Sequence, residues 1–178
     1  MTAEKIFETI GLGSGLTVCE VGAGSGELTI AAARVVGPSG RVLTSELGEN
    51  RIKALRNAVE KSGLAHIIVV VGDVTKTNFP DAGCDALFMR DVYHHFTDPA
   101  SMNRSIAASL KPGARLAIVD FTPPPGKEAA RPEERGTDGT HGVAPAAVIK
   151  EVKEAGLEPA PGDAAANRWF LLVFVRPK

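Results

Sequence analysis

Glu20-Val21-Gly22-Ala23-Gly24-Ser25-Gly26 closes a β-rich apolar run, Thr17 to Val21, and opens a segment with Leu28, Ile30, Ala31, Val35 and Val36 at helical spacing. A strand that enters a helix through three glycines makes a tight turn. Its backbone passes close to whatever lies above it, because glycine accepts positive φ and carries no side chain. The spacing is G-x-G-x-G, and Glu27 follows where the dinucleotide fingerprint places a third, shifted glycine. That spacing argues against a diphosphate ligand. Taken alone, the turn serves a plain strand-to-helix connection equally well, so its neighbours decide its meaning.

On both sides of this turn the chain alternates short apolar runs with longer helix-period segments. The first helix ends at Gly37-Pro38, a stop signal. A second strand is expected at Arg41 to Ser45, then a helix from Glu49 to Ser62 carrying Ile52, Leu55, Ala58 and Val59 on one face and closed by Gly63. Ile67 to Val71 reads as a third strand buried on both faces. Asp85 to Met89 is the fourth, Pro99 to Leu110 a helix, and Lys111-Pro112-Gly113 the turn into a fifth strand at Arg115 to Val119. This rhythm predicts an α/β fold with a parallel sheet between helix layers. Near the C-terminus, Trp169 to Val175 is the most β-like run in the chain. Too little sequence precedes it for another long crossover, so a hairpin with a short strand near Leu157 to Ala160 would make it antiparallel. Ala3 to Ile10 reads as a short N-terminal cap helix within residues 1–15. The Pro- and Gly-rich stretch Thr122 to Gly142 is a candidate lid or a surface excursion.

Length and charge narrow the partners. The 178 residues fit one domain, residues 1–178, and Lys plus Arg number 20 against 21 acids, for a net charge of −1. That balance gives no general attraction to nucleic acid or anionic lipid. No stretch reaches the ~20 apolar residues of a membrane span, and the N-terminus lacks the basic region and apolar core of a secretion signal. Cys19 and Cys84 read as isolated buried thiols, which behave as small hydrophobes. A reduced, cytoplasmic protein is the expectation.

In an open α/β sheet, ligands bind beyond the carboxyl ends of the strands. Three acids stand there. Glu20 lies beside the glycine turn, where a carboxylate suits an ammonium group and repels phosphate. Glu46 ends strand two, about 20 positions past the glycines, where an acid accepts hydrogen bonds from ribose hydroxyls. Asp73, in Gly72-Asp73-Val74, ends strand three and is placed to accept from an adenine amine. Each acid alone is commonly a cap or turn residue. Together they outline a cationic ligand that carries ribose and adenine, which describes S-adenosylmethionine.

With these residues stated, the chain resembles the class I S-adenosylmethionine-dependent methyltransferases of the small-molecule type. Glu20 to Gly26 resembles their first motif, Glu46 their acidic motif, and Gly72-Asp73-Val74 their adenine motif. Met89-Arg90-Asp91-Val92-Tyr93-His94-His95-Phe96 resembles the stretch after strand four, and Leu110 to Asp120 the entry into strand five. The resemblance runs from Val18 to about Gly156. It implies a Rossmann-like three-layer sandwich with a seven-stranded, mostly parallel sheet and an antiparallel last strand. It further implies that Glu20, Gly22, Ala23, Gly24, Gly26, Glu46, Leu47, Asp73, Val74 and Arg90 hold the methyl donor. Two departures are visible: Glu20 stands where the family often has Asp, and little sequence precedes Val18, where relatives carry a longer cap over the substrate.

Methyl transfer from a sulfonium needs in-line positioning first and a base only when the acceptor must lose a proton. Asp91, Tyr93, His94 and His141 are the candidates on the acceptor side. His94 and His95 also suit a purely pocket-building role, and His141 that of an exposed loop residue. A small-molecule acceptor is the default, because the chain lacks an Asn/Asp-Pro-Pro-Tyr-like sequence after strand four and lacks interleaved basic and aromatic residues for stacking bases. No metal site is expected, since the cysteines lack C-x-x-C spacing. Two rival readings remain: a cofactor-binding module without turnover, and a nicotinamide-dependent oxidoreductase. The glycine spacing and the absence of a Tyr-x-x-x-Lys pair count against the latter.

Overall fold

The computed structural model describes residues 1–127, 129, 131–135 and 142–178. Five parallel strands alternate with helices: β1 (Thr17–Val21), α2 (Glu27–Val36), β2 (Arg41–Glu46), α3 (Glu49–Ser62), β3 (Ile67–Val71), β4 (Cys84–Arg90), α4 (Pro99–Ser109) and β5 (Leu110–Phe121), with α1 (Ala3–Thr9) before them. After β5 come α5 (Pro145–Glu154), β6 (Glu158–Pro159), β7 (Ala164–Ala166) and β8 (Trp169–Val175). The sheet runs β3-β2-β1-β4-β5-β8-β6, with β7 paired to β8. β8 lies antiparallel to β5, matching Trp169 with Phe121 and Val175 with Arg115. The chain winds outward from β1 to β3 and then crosses back to β4. This leaves a crevice above the carboxyl ends of β1 and β4, the usual ligand position in such sheets.

Alternation along the strands builds two cores, and so the three layers. Val18 and Phe88 face α1 and α2 with Ile6, Phe7, Leu28 and Ala32. Leu87 and Met89 face α4 and α5 with Met102, Ile106, Val148 and Val152. Local signals set the helix ends. Asp98 accepts the Ser101 N–H at 3.0 Å and Pro99 fills the first turn of α4. Gly63 ends α3 in the left-handed conformation.

Four features depart from the sequence reading. β3 is an edge strand, not one buried on both faces: Ile67 is buried, whereas Ile68 and Val71 are exposed. An apolar run of this length is indifferent to whether a neighbour covers it. The sheet has eight strands, because the three-residue β7 joins the expected β6 and β8 hairpin. Cys19 and Cys84 are not isolated thiols but a disulfide across neighbouring strands β1 and β4, with Cα atoms 5.8 Å apart. Their 65-residue separation hid a contact that strand order creates, and the premise for a reduced compartment goes with it. Finally, α1 forms as expected but docks on the sheet face, Phe7 meeting Phe88 edge-on at 5.4 Å. Residues 1–15 do not line the cavity described next. Among the described residues, no helix is long and apolar enough to cross a membrane.

Candidate active site

A cavity of about 340 Å³ opens above the carboxyl ends of β1 to β4. Its floor is the glycine turn, stitched to β2: the Gly22 and Ala23 N–H groups donate to the Ser45 carbonyl at 2.9 and 3.0 Å. Glu46 completes the seam. One carboxylate oxygen accepts the Gly24 N–H at 2.6 Å and the other accepts the Leu47 N–H at 2.7 Å. A carboxylate has about four lone-pair sites, so two acceptor positions are left for hydroxyl groups entering the cavity.

The three glycines have different reasons to be glycine. Gly22 has φ 73°, and a Cβ there would collide with the Val92 side chain. At Gly26 a Cβ would meet Leu55 Cδ1 at 2.9 Å. A Cβ on Gly24, at φ 54°, would meet nothing within 4 Å, so close ligand approach is open above that peptide.

Asp73 lines the cavity wall, with one oxygen accepting both the N–H and the hydroxyl of Thr75 at 2.8 Å. The Thr75 N–H, followed by its hydroxyl, holds the Asp73 carboxyl below its usual range. The second oxygen stays available to a donor such as an exocyclic amine. Leu47 and Val74 line the same wall as exposed apolar side chains, 40% and 59% accessible. Such a pair suits the faces of a planar ring.

Glu20 sits lower. It is buried at 3% exposure and takes hydrogen bonds from the Thr29 hydroxyl and, at 3.2 Å, the Thr44 hydroxyl. Burial is the largest influence on its carboxyl and pushes it up to about 7 against the pull of those hydroxyls and of Arg90. Arg90, at the end of β4, lines the cavity and pairs with Glu27 at 3.3 Å.

On the acceptor side, the structure separates residues adjacent in sequence. Asp91 is exposed, lines the cavity and has φ 62°, a backbone state rare for non-glycine residues and held by its N–H bond to the Val119 carbonyl at 2.9 Å. His95 lines the cavity as well. Tyr93 does not. It is fully buried on the other side of the 3-10 turn Tyr93–His95, its hydroxyl donating to Glu151 at 2.9 Å and accepting from Asn103 at 2.8 Å. Burial raises its hydroxyl far above the usual phenol range. His94 lies one layer behind the cavity, its ring tilted against those of His95 and Phe121 with centres 3.9 and 4.8 Å away. His141 is outside the described residues.

Sequence reasoning missed two partners. Asp120, at the end of β5, is wholly buried and accepts His94 Nδ1–H at 2.9 Å, the His94 amide at 3.0 Å and the Phe121 amide at 2.8 Å. The rule that selected Glu20, Glu46 and Asp73, an acid at a strand end, selects Asp120 too. Arg135 is the second, a buried guanidinium on Glu151 at 2.6 and 3.2 Å that also donates to the Phe96 carbonyl at 3.2 Å. It had no such signal, because nothing in a charged loop says which cation turns inward. Asp91, His94 and Asp120 together offer three ligand-type atoms within 4.8 Å of one another. Asp120 already accepts three N–H groups, however, so the grouping reads as a hydrogen-bonded carboxylate and imidazole rather than a cation cage.

A family model described as a methyltransferase domain matches residues 19–118. The chain belongs to that family. Among curated proteins it is similar to the ubiquinone/menaquinone biosynthesis C-methyltransferase UbiE of Saccharophagus degradans, at 32% identity over 66% of this chain and 48% of that protein. The chain spans about half the length of the curated relatives it matches. Among solved structures, a SAM-dependent methyltransferase from Aquifex aeolicus superposes with a TM-score of 0.81 at 24% identity, covering 98% of this chain and 89% of the other. The [4+2]-cyclase SpnF superposes at 0.80 with 16% identity, covering 98% and 79%. These superpositions establish the fold as the one shared by the S-adenosylmethionine-dependent methyltransferase structures, in agreement with the family match. The cavity lies within the matched segment.

Proposed function

We propose that this methyltransferase binds S-adenosylmethionine in the cavity above β1 to β4 and transfers its methyl group to a small organic acceptor. One observation carries the reading: the cavity collects, from three successive strand ends, the carboxyls of Glu20, Glu46 and Asp73 around a glycine turn open to close approach at Gly24. The pattern fits a donor that is cationic at one end and a nucleoside at the other. In this reading Glu46 accepts from the ribose hydroxyls, Asp73 and the Val74 backbone meet the adenine edge, and Leu47 covers its face. Gly22, Ala23 and Gly24 let the amino-acid portion lie against the turn, with Gly26 keeping α2 close to α3.

When bound, the donor supplies an electrophilic methyl: the acceptor's electron pair forms the new bond as the methyl–sulfur bond breaks and leaves its pair on sulfur. The protein's task is to position and to desolvate. Asp91 and His95 face the acceptor from the end of β4. The Asp120 and His94 pair behind them keeps the turn in place and fixes the imidazole with Nδ1 protonated. Methylation at carbon of an electron-rich ring is the acceptor class to try first, since the curated relatives are named as quinone-pathway C-methyltransferases.

The test is transfer of isotopically labelled methyl from S-adenosylmethionine to a panel of hydroquinones and naphthohydroquinones. Labelled product from any of them supports the reading. A second reading, donor binding without methyl transfer, is favoured by the likeness of the fold to a cyclase. It is supported by tight binding of the donor with no transfer to that panel or to a metabolite extract.

A further inference from the structure

We propose that Glu20 gives up a proton when the cationic donor enters the cavity, so that donor binding is linked to pH through a buried carboxyl at the cavity floor. The inference rests on the donor reading above. Its starting point is the set of groups that face Glu20. From α2 comes the Thr29 hydroxyl, which donates to it. From β2 come the Thr44 hydroxyl at 3.2 Å and the carboxylate of Glu46, whose charge opposes ionisation of Glu20. From β4 comes Arg90, whose guanidinium is committed to Glu27 at 3.3 Å nearer the surface.

None of the groups that hydrogen-bond Glu20 is a cation. A buried carboxylate without a paired positive charge is costly, and here the cost places the group near neutrality, at about 7. In the donor-free protein at pH 6 to 7, a large fraction of Glu20 therefore carries a proton. An ammonium or sulfonium in the cavity favours the ionised form. Binding then releases the proton to solvent, and the same coupling makes affinity rise with pH. Below about pH 7, apparent affinity for the donor falls about tenfold per pH unit.

Isothermal titration calorimetry of S-adenosylmethionine into the full chain, in phosphate and in Tris, counts the protons from the dependence of the heat on buffer ionisation. At about pH 6, where the donor's own amine stays protonated throughout, close to one proton is released per donor bound. In Glu20→Gln that release disappears and binding loses its pH dependence below about pH 7. If that variant does not fold, carboxyl 13C spectra of the wild type serve instead, with Glu20 titrating near neutrality in the free protein and ionised at about pH 6 in the complex. Binding without proton release in the wild type, or release unchanged in Glu20→Gln, overturns this inference alone. Absence of any binding heat overturns the donor reading, and this inference with it.

Discussion

Asp120 accepts the Nδ1–H of His94 at 2.9 Å and, with its other oxygen, the His94 amide at 3.0 Å. One buried side chain thus sets both the backbone and the ring of a residue on the next strand's exit. Asp120→Asn places an amide N–H₂ among three N–H donors and is expected to cost about 2–4 kcal/mol, because bonds to a charged acceptor are worth about 1.5–3 kcal/mol each and one donor is left unpaired. Urea denaturation measures it. A change below about 0.5 kcal/mol would show the pair to be incidental.

Arg135, Glu151, Tyr93 and Asn103 form a second buried network that pins the segment around the 3-10 turn Pro132–Glu134 to α4 and α5. Removing one partner of a buried ion pair strands the other, so Arg135→Leu and Glu151→Leu are each expected to cost about 3–5 kcal/mol. The double replacement should cost clearly less than their sum. Additive losses in a double-mutant cycle would show that the two charges do not interact.

The glycine turn separates packing from ligand access. Gly22→Ala drives a methyl into Val92 at positive φ and is expected to cost about 3 kcal/mol, part of it recovered by Val92→Ala. Gly24→Ala meets no protein atom and should cost only about 1 kcal/mol of stability. Its effect falls on S-adenosylhomocysteine, whose affinity should drop at least tenfold in calorimetry. Equal affinity in Gly24→Ala and wild type would remove the ligand from above that peptide.

Much of this was readable before any coordinates. Strand-to-helix rhythm located β1, α2, β2, α3 and β3 nearly residue by residue, because parallel strands and amphipathic helices leave different periods. The strand-end rule led to Glu20, Glu46 and Asp73 and the family resemblance to Arg90, and all four line one cavity. What sequence withheld depends on three-dimensional neighbours. The exposed edge of β3, the pairing of Cys19 with Cys84 and the inward turn of Arg135 each require knowing which strand or helix lies alongside. Tyr93 and His95 look equivalent in Tyr93-His94-His95, yet a 3-10 turn sends one into the core and the other toward the cavity.

Glu20 also gives stability a pH dependence with a definite sign. Its carboxyl rises from 4.5 to about 7 on folding, so the native state holds that proton more tightly than the unfolded chain. Its contribution is present below about pH 4.5 and is lost as pH rises through about 7; a shift of this size is worth about 3 kcal/mol. Urea denaturation of wild type and Glu20→Gln at about pH 5 and about pH 8 isolates it as the difference between the two proteins. A difference that does not change with pH would place the carboxyl in contact with water.

The most direct test of the central claim is calorimetry of the wild type and Glu46→Ala with S-adenosylmethionine, S-adenosylhomocysteine and NADH. The account predicts that the two sulfur nucleosides bind the wild type, that NADH does not, and that Glu46→Ala weakens the former by about 1.5–3 kcal/mol through lost charged hydrogen bonds. Binding of NADH alone, or affinity for the sulfur nucleosides unchanged in Glu46→Ala, would contradict it.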